Sequence, residues 1–187
     1  MAKYVVFENN DTEMENRQLQ HEQVKFTRKQ FPIVILCDEL KTPDNVGLIF
    51  RMGDAFGVEK IVLTSNCPTP NSKVVRKISR STVKNIPWEI AEDSNSLIAR
   101  YKKEGYTLVG LEITEGSVAI QNANLSELSK VLLVCGSENY GISPEILSQL
   151  DVAIHIPMYG ANSSMNVVNS LSILLYELTN QMKSRVL

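Results

Sequence analysis

The sequence predicts an α/β protein whose mostly parallel sheet is flanked by helices. Two observations predict it. Five short apolar runs are near-continuous rather than alternating, which marks strands covered on both faces. The stretches between them carry helical patterns with recognisable ends. A chain of 187 residues, 43% of them hydrophobic, suits one domain around a single core.

Taken in order, residues 1–31 are polar and charged apart from Tyr4-Val5-Val6-Phe7, and are expected to be an extension ahead of a folded domain over residues 32–187. Ile33-Val34-Ile35-Leu36-Cys37 is the first strand run. Thr42-Pro43 places a cap before a proline at the first helical position, and Gly57 closes that helix. Lys60-Ile61-Val62-Leu63-Thr64 follows as a strand. Ser94 or Ser96 opens the next helix, which runs through Leu97, Ile98 and Tyr101 to Gly105. Tyr106 to Leu111 and Val131 to Cys135 are strands, Ser143-Pro144-Glu145 repeats the cap-then-proline start, and Val152 to Ile156 is the fifth strand run. The last helix, about Asn166 to Ser184, places Val167, Leu171, Leu174, Leu175 and Leu178 on one stripe.

Composition narrows the function. A net charge of −2 argues against indiscriminate polyanion binding but permits a local basic patch. Three widely spaced cysteines and two histidines offer no ligand cluster, so neither a metal site nor a disulfide framework is expected. Cys37 and Cys135 read as small core residues. No apolar stretch is long enough to span a membrane, and the first residues lack the regions of a signal peptide, so a cytoplasmic protein is expected. No glycine-rich dinucleotide or Walker sequence follows any strand, which argues against a dehydrogenase or NTPase.

Three loops follow strand ends, where open α/β sheets bind ligands. They run from Lys41 to Gly47, from Gly136 to Ser143 and from Ile156 to Asn166, each rich in glycine or small polar residues. With the residues that follow them they read NVGLIFRMGDAFGV (45–58), GSENYGIS (136–143) and IPMYGANSSMNV (156–167). In this order they resemble the three motifs of SpoU-type (TrmH-like) RNA 2'-O-ribose methyltransferases, of the SPOUT superfamily, over residues of about 32 to 180. The chain departs from the familiar pattern at Met52-Gly53, where Thr-Ala is usual, and at Met165 and Val168, where Leu and Ser are usual.

The resemblance implies a catalytic domain with a C-terminal deep trefoil knot, S-adenosylmethionine as methyl donor and a homodimer. Carried over position by position, the donor would meet Leu111, Gly136, Ile156, Met158, Ser164 and Met165. Arg51, Asn45, Glu138 and Asn166 match the polar catalytic positions. Arg51 would grip phosphate and ribose and stabilise the developing alkoxide, since an arginine rarely gives up its proton. Glu138 would either orient Arg51 through an ion pair or cap a nearby helix, and Asn166 and Ser164 have the same capping alternative.

An RNA-facing surface is expected after the first motif. No Asp or Glu occurs between Lys60 and Trp88, while Lys73, Arg76, Lys77, Arg80 and Lys84 do. Spacings of three and four would put Lys73, Lys77, Arg80 and Lys84 on one helical face. Ser79, Ser81 and Thr82 would add phosphate hydrogen bonds. The expected target is tRNA, with rRNA or a non-catalytic RNA-binding role on the same scaffold as alternatives. Residues 1–31 would pack on the partner subunit or help hold RNA.

Overall fold

The computed structural model describes residues 18–20, 23–24 and 27–183, so most of the N-terminal extension lies outside the described residues. Strands and helices alternate as β1 (Phe31–Cys37), α1 (Pro43–Ala55), β2 (Val58–Thr64), α2 (Lys73–Ser79), β3 (Trp88–Ala91), α3 (Ser94–Lys103), β4 (Thr107–Leu111), β5 (Val118–Ala119), β6 (Val131–Cys135), α4 (Pro144–Leu147), β7 (Val152–His155) and α5 (Val167–Lys183). The strands form one sheet in the order β3-β2-β1-β6-β4-β7-β5, and every pairing is parallel.

The apolar runs of β1, β2, β4 and β6 are continuous because each of these strands feeds two cores. In β1, Phe31, Ile33, Ile35 and Cys37 face one side while Val34 and Leu36 face the other. The first side is covered by α1 through Val46, Ile49 and Phe50, by Val75 of α2, and by Leu171, Leu174, Leu175 and Leu178 of α5. The second is covered by Leu97, Ile98 and Tyr101 of α3 and by Ile146 of α4. Those four leucines are fully buried, and each contributes about 1.5–3 kcal/mol of transfer free energy. They hold α5 against the sheet.

Several expected details shift. In α5, Val167, expected on the buried stripe, is half-buried at its edge, and Val168 is buried in the core. Neither Thr42 nor Ser143 makes the side-chain cap its position suggests. Their backbone N–H groups go instead to carboxylates from other parts of the chain, Glu138 and Asp38. Helix α3 is capped by Asp93, whose carboxylate accepts from the N–H groups of Asn95 and Ser96. Strands β3 and β5 leave no apolar run to read, because both are short and lie at the sheet's edges.

The basic segment needs the largest correction. Helix α2 stops at Ser79; Arg80 takes a left-handed φ of 55°, and a separate 3-10 turn spans Thr82–Lys84. Lys73, Lys77, Arg80 and Lys84 therefore do not share one helical face. Ser79 is fully buried and donates to the Arg76 carbonyl, and the Thr82 hydroxyl donates to the Ser79 carbonyl, which removes Ser79 from any phosphate surface. Lys73, Arg76, Lys77, Arg80 and Lys84 are nonetheless all exposed, and none pairs with a carboxylate among the described residues.

Candidate functional site

The carboxyl ends of the central strands β1, β6, β4 and β7 lie side by side, so the loops that leave them meet at one edge of the sheet. There the loops that follow β6, β4 and β7 line a cavity of about 420 Å³. Leu111, Gly136, Ile156, Met158, Ser164 and Met165 all line it, as do Glu138 and Asn166. Asn45 stands immediately behind these two, bonded to both. Arg51 is not part of the lining.

A chain of side-chain hydrogen bonds joins the three loops. Asn166 Nδ2 donates to Asn45 Oδ1 at 3.1 Å, and Asn45 Nδ2 donates to Glu138 Oε1 at 2.8 Å. Asn45 is buried, at 6% exposure, so these are partners it cannot exchange cheaply for water. Glu138 also accepts from the N–H groups of Lys41 (3.0 Å) and Thr42 (3.1 Å), at the entry to α1. Burial pushes the Glu138 carboxyl up, but these donors outweigh it and hold it down at about 2. Both readings of Glu138 are thereby decided in part. It makes no ion pair with Arg51 and instead ties its own loop to the start of α1. Asn166 does two things at once: Oδ1 caps α5 by accepting from the Val168 N–H at 2.8 Å, while Nδ2 reaches Asn45.

The loop from 136 to 143 is rigidly built. Ser137 and Gly141 exchange two backbone hydrogen bonds of 2.9 Å each, closing a tight turn. A Cβ on Gly136 would overlap the backbone of Gly141 and Ile142, so no other residue fits there. Two further carboxylates hold the turn's exit: Glu112 Oε2 accepts from the Ile142 N–H at 3.0 Å, and Asp38 Oδ2 from the Ser143 N–H at 2.8 Å. Sequence reasoning misses both residues. An acidic residue just after a strand is commonplace, and only the folded chain brings these backbone donors to it.

His155 also lines the cavity, with Nδ1 2.9 Å from the Ser117 hydroxyl. Tyr140 lines it too and is 87% exposed, while Tyr159, next to Met158, is 94% exposed. Arg51 is half-exposed on α1 with no hydrogen-bond or ion-pair partner among the described residues. It follows Asn45 by six residues, about 9 Å along the helix axis. The basic segment is fixed to the same helix. Gly47 lets α2 approach so closely that a Cβ there would lie 2.7 Å from Ile78 Cβ.

Comparison with known proteins is consistent with this geometry. The chain is 29% identical over 151 residues to a tRNA (guanosine(18)-2'-O)-methyltransferase of Saccharomyces cerevisiae, a match covering 80% of this chain and 10% of that protein. The chain spans 59% or less of the length of the first curated relatives it matches. Among solved structures, the TrmH/SpoU tRNA modifying enzyme of A. aeolicus superposes with a TM-score of 0.76 at 27% identity, covering 85% of this chain and 79% of that one. An AdoMet-bound rRNA methyltransferase from Sinorhizobium meliloti shares the fold, with a TM-score of 0.76 at 24% identity over 84% of this chain and 59% of that one. The model of the SpoU rRNA methylase family matches residues 32–176, from β1 into α5 and through all three motif loops. The chain belongs to the SpoU rRNA methylase family.

Proposed function

We propose that the protein transfers a methyl group from S-adenosylmethionine to a ribose 2'-hydroxyl of RNA, with tRNA as the first substrate to test. The observation that carries this reading is the hydrogen-bonded chain Asn166–Asn45–Glu138, which ties the two motif loops that line the cavity to each other through the start of α1. The cavity's chemistry fits the cofactor. Leu111, Ile156, Met158 and Met165 offer apolar walls for adenine, the loop backbones offer its edge polar partners, and among the described residues no lysine or arginine lines the space to oppose a cation. The relative solved with AdoMet bound has the same fold. When bound, the cofactor supplies an electrophilic methyl on sulfur.

The chain's own residues then have to bind the donor and orient the ribose hydroxyl, whose proton passes to solvent water as the methyl is transferred. Leu111, Gly136, Ile156, Met158, Ser164 and Met165 would hold the donor. Asn45, Glu138 and Asn166 fix the loops in register, which sets the line of attack. Arg51, with no partner among the described residues, would hold an RNA phosphate and stabilise the oxyanion as the hydroxyl loses its proton to water. Lys73, Arg76, Lys77, Arg80 and Lys84 would take up the RNA backbone. The knotted C-terminal path and the homodimer belong to the same proposal. Exposed Ile173 and Tyr176 on α5 give a second copy an apolar surface to cover. The polar extension over residues 1–31 would then serve the partner subunit or the RNA.

The test is to incubate the protein with labelled S-adenosylmethionine and total RNA, and to map the labelled nucleotide by digestion. Ribose methylation is expected, with tRNA fractions labelled first. Arg51→Ala should lose at least about two orders of magnitude in rate, the scale for one key transition-state donor. Label on a base overturns the reaction, and near-normal turnover by the variant removes Arg51 from it.

A further inference from the structure

Glu112 is the one charged group of the cavity that neither the motifs nor the proposed chemistry uses. It follows Leu111 at the end of β4 and lines the cavity. Its carboxylate is held from two sides: Oε1 accepts from its neighbour Ile113 N–H at 2.9 Å, and Oε2 from the Ile142 N–H at 3.0 Å. A carboxylate has about four acceptor positions, so about two remain open. Gly141, at a left-handed φ of 69°, presses against it so closely that a Cβ there would overlap Oε2. The carboxylate is therefore fixed before any ligand arrives.

The titratable groups lining the cavity are Glu112, Glu138, His155 and the rim phenol of Tyr140. Glu138 commits its oxygens to three donors from α1 and the loop before it. His155 shares Nδ1 with the Ser117 hydroxyl. Among the described residues the cavity is thus lined by two carboxylates and by no lysine or arginine, and Glu112 keeps more of its acceptor positions open, about two against about one on Glu138. Transfer of the methyl turns a sulfonium into a neutral thioether, so donor and spent product differ by one positive charge. An acidic wall binds the first better than the second.

We infer that Glu112 is a specificity residue that makes the cavity favour the positively charged methyl donor over its thioether product, and so promotes product release. This rests on the reading that the cavity holds S-adenosylmethionine. The test is calorimetric titration of the full chain with three ligands: S-adenosylmethionine, S-adenosylhomocysteine, and an analogue bearing an ammonium group in place of the sulfonium. Wild type should bind both cations more tightly than the thioether. Glu112→Gln keeps the size and removes the charge, and should cut the cation-to-thioether preference by about three- to tenfold, the effect of one carboxylate at a partly solvated site. Glu112→Asp should restore most of it.

A Gln variant that weakens all three ligands by the same factor would make Glu112 only a brace for the loop and overturn the inference. Wild type that binds the thioether as tightly as both cations overturns it without any variant, which covers the case of a Gln variant that does not fold. Wild type that binds none of the three would instead bring down the assignment of the cavity.

Discussion

Asn45→Asp is the sharpest test of how the site is held together. The substitution keeps size and shape, and the introduced carboxylate can still accept from Asn166 Nδ2 as the Asn45 carbonyl does at 3.1 Å. What changes is the atom facing Glu138 Oε1, which becomes an oxygen where an N–H donated at 2.8 Å. A hydrogen bond to a charged acceptor contributes about 1.5–3 kcal/mol, and its loss comes first. Two apposed carboxylates add a repulsion of about 1 kcal/mol, kept small because Glu138 reaches solvent. The sum is about 2–4 kcal/mol, a large share of the roughly 5–15 kcal/mol that holds a domain folded. For a chain of this size each kcal/mol shifts Tm by about 2–4 °C, so a fall of about 5–15 °C is expected. Urea unfolding followed by circular dichroism measures the free energy, and titration with S-adenosylmethionine measures the site. Both should suffer, because the 136–143 loop that loses its tie to α1 is one that lines the cavity. A variant within about 0.5 kcal/mol of wild type, the scatter of ordinary surface changes, would show that the Asn166–Asn45–Glu138 chain does not organise the site.

Three further outcomes follow from the same geometry. Gly136→Ala drives a Cβ into the backbone of Gly141 and Ile142, which no rotamer change relieves; losing the two Ser137–Gly141 bonds, at about 1 kcal/mol each, should weaken cofactor binding by at least about tenfold, and unchanged affinity would refute the tight turn. The carboxyl of Glu138 sits at about 2 when folded, below its ordinary value of 4.5, so its stabilisation is complete above about pH 4.5 and is lost as pH falls toward 2. Wild type should therefore exceed Glu138→Gln in urea midpoint at neutral pH, with the gap closing in acid; a gap independent of pH would contradict the sign. Lys77→Ala with Lys84→Ala should lower RNA affinity and reduce the salt slope by about 1–2 while leaving cofactor affinity intact, and an unchanged slope would move the RNA surface elsewhere.

What the sequence disclosed and what it hid divide along one physical line. Strands β1, β2, β4 and β6 announced themselves because both faces are covered, and two-sided burial writes an uninterrupted apolar run. β3 and β5 are edge strands of four and two residues, and an edge leaves no such run to read. The basic segment misled for a related reason. Charges spaced by three and four imply one face only while the helix continues, and Arg80 ends it.

The site divides in the same way. Its glycines and motif side chains were legible because a tight turn around a ligand restricts which residues fit, as Gly136 illustrates. Asp38 and Glu112 were not, because their task is to accept a backbone N–H, and any backbone supplies the same donor. Nothing at Ile142 or Ser143 signals that a carboxylate from a distant strand end will meet it. The carboxylates that position this cavity are therefore visible only once the strand order has set β1, β6 and β4 side by side. The strand order is thus part of the site: it fixes where each carboxylate meets the loop, and the loop in turn decides what the cavity can hold.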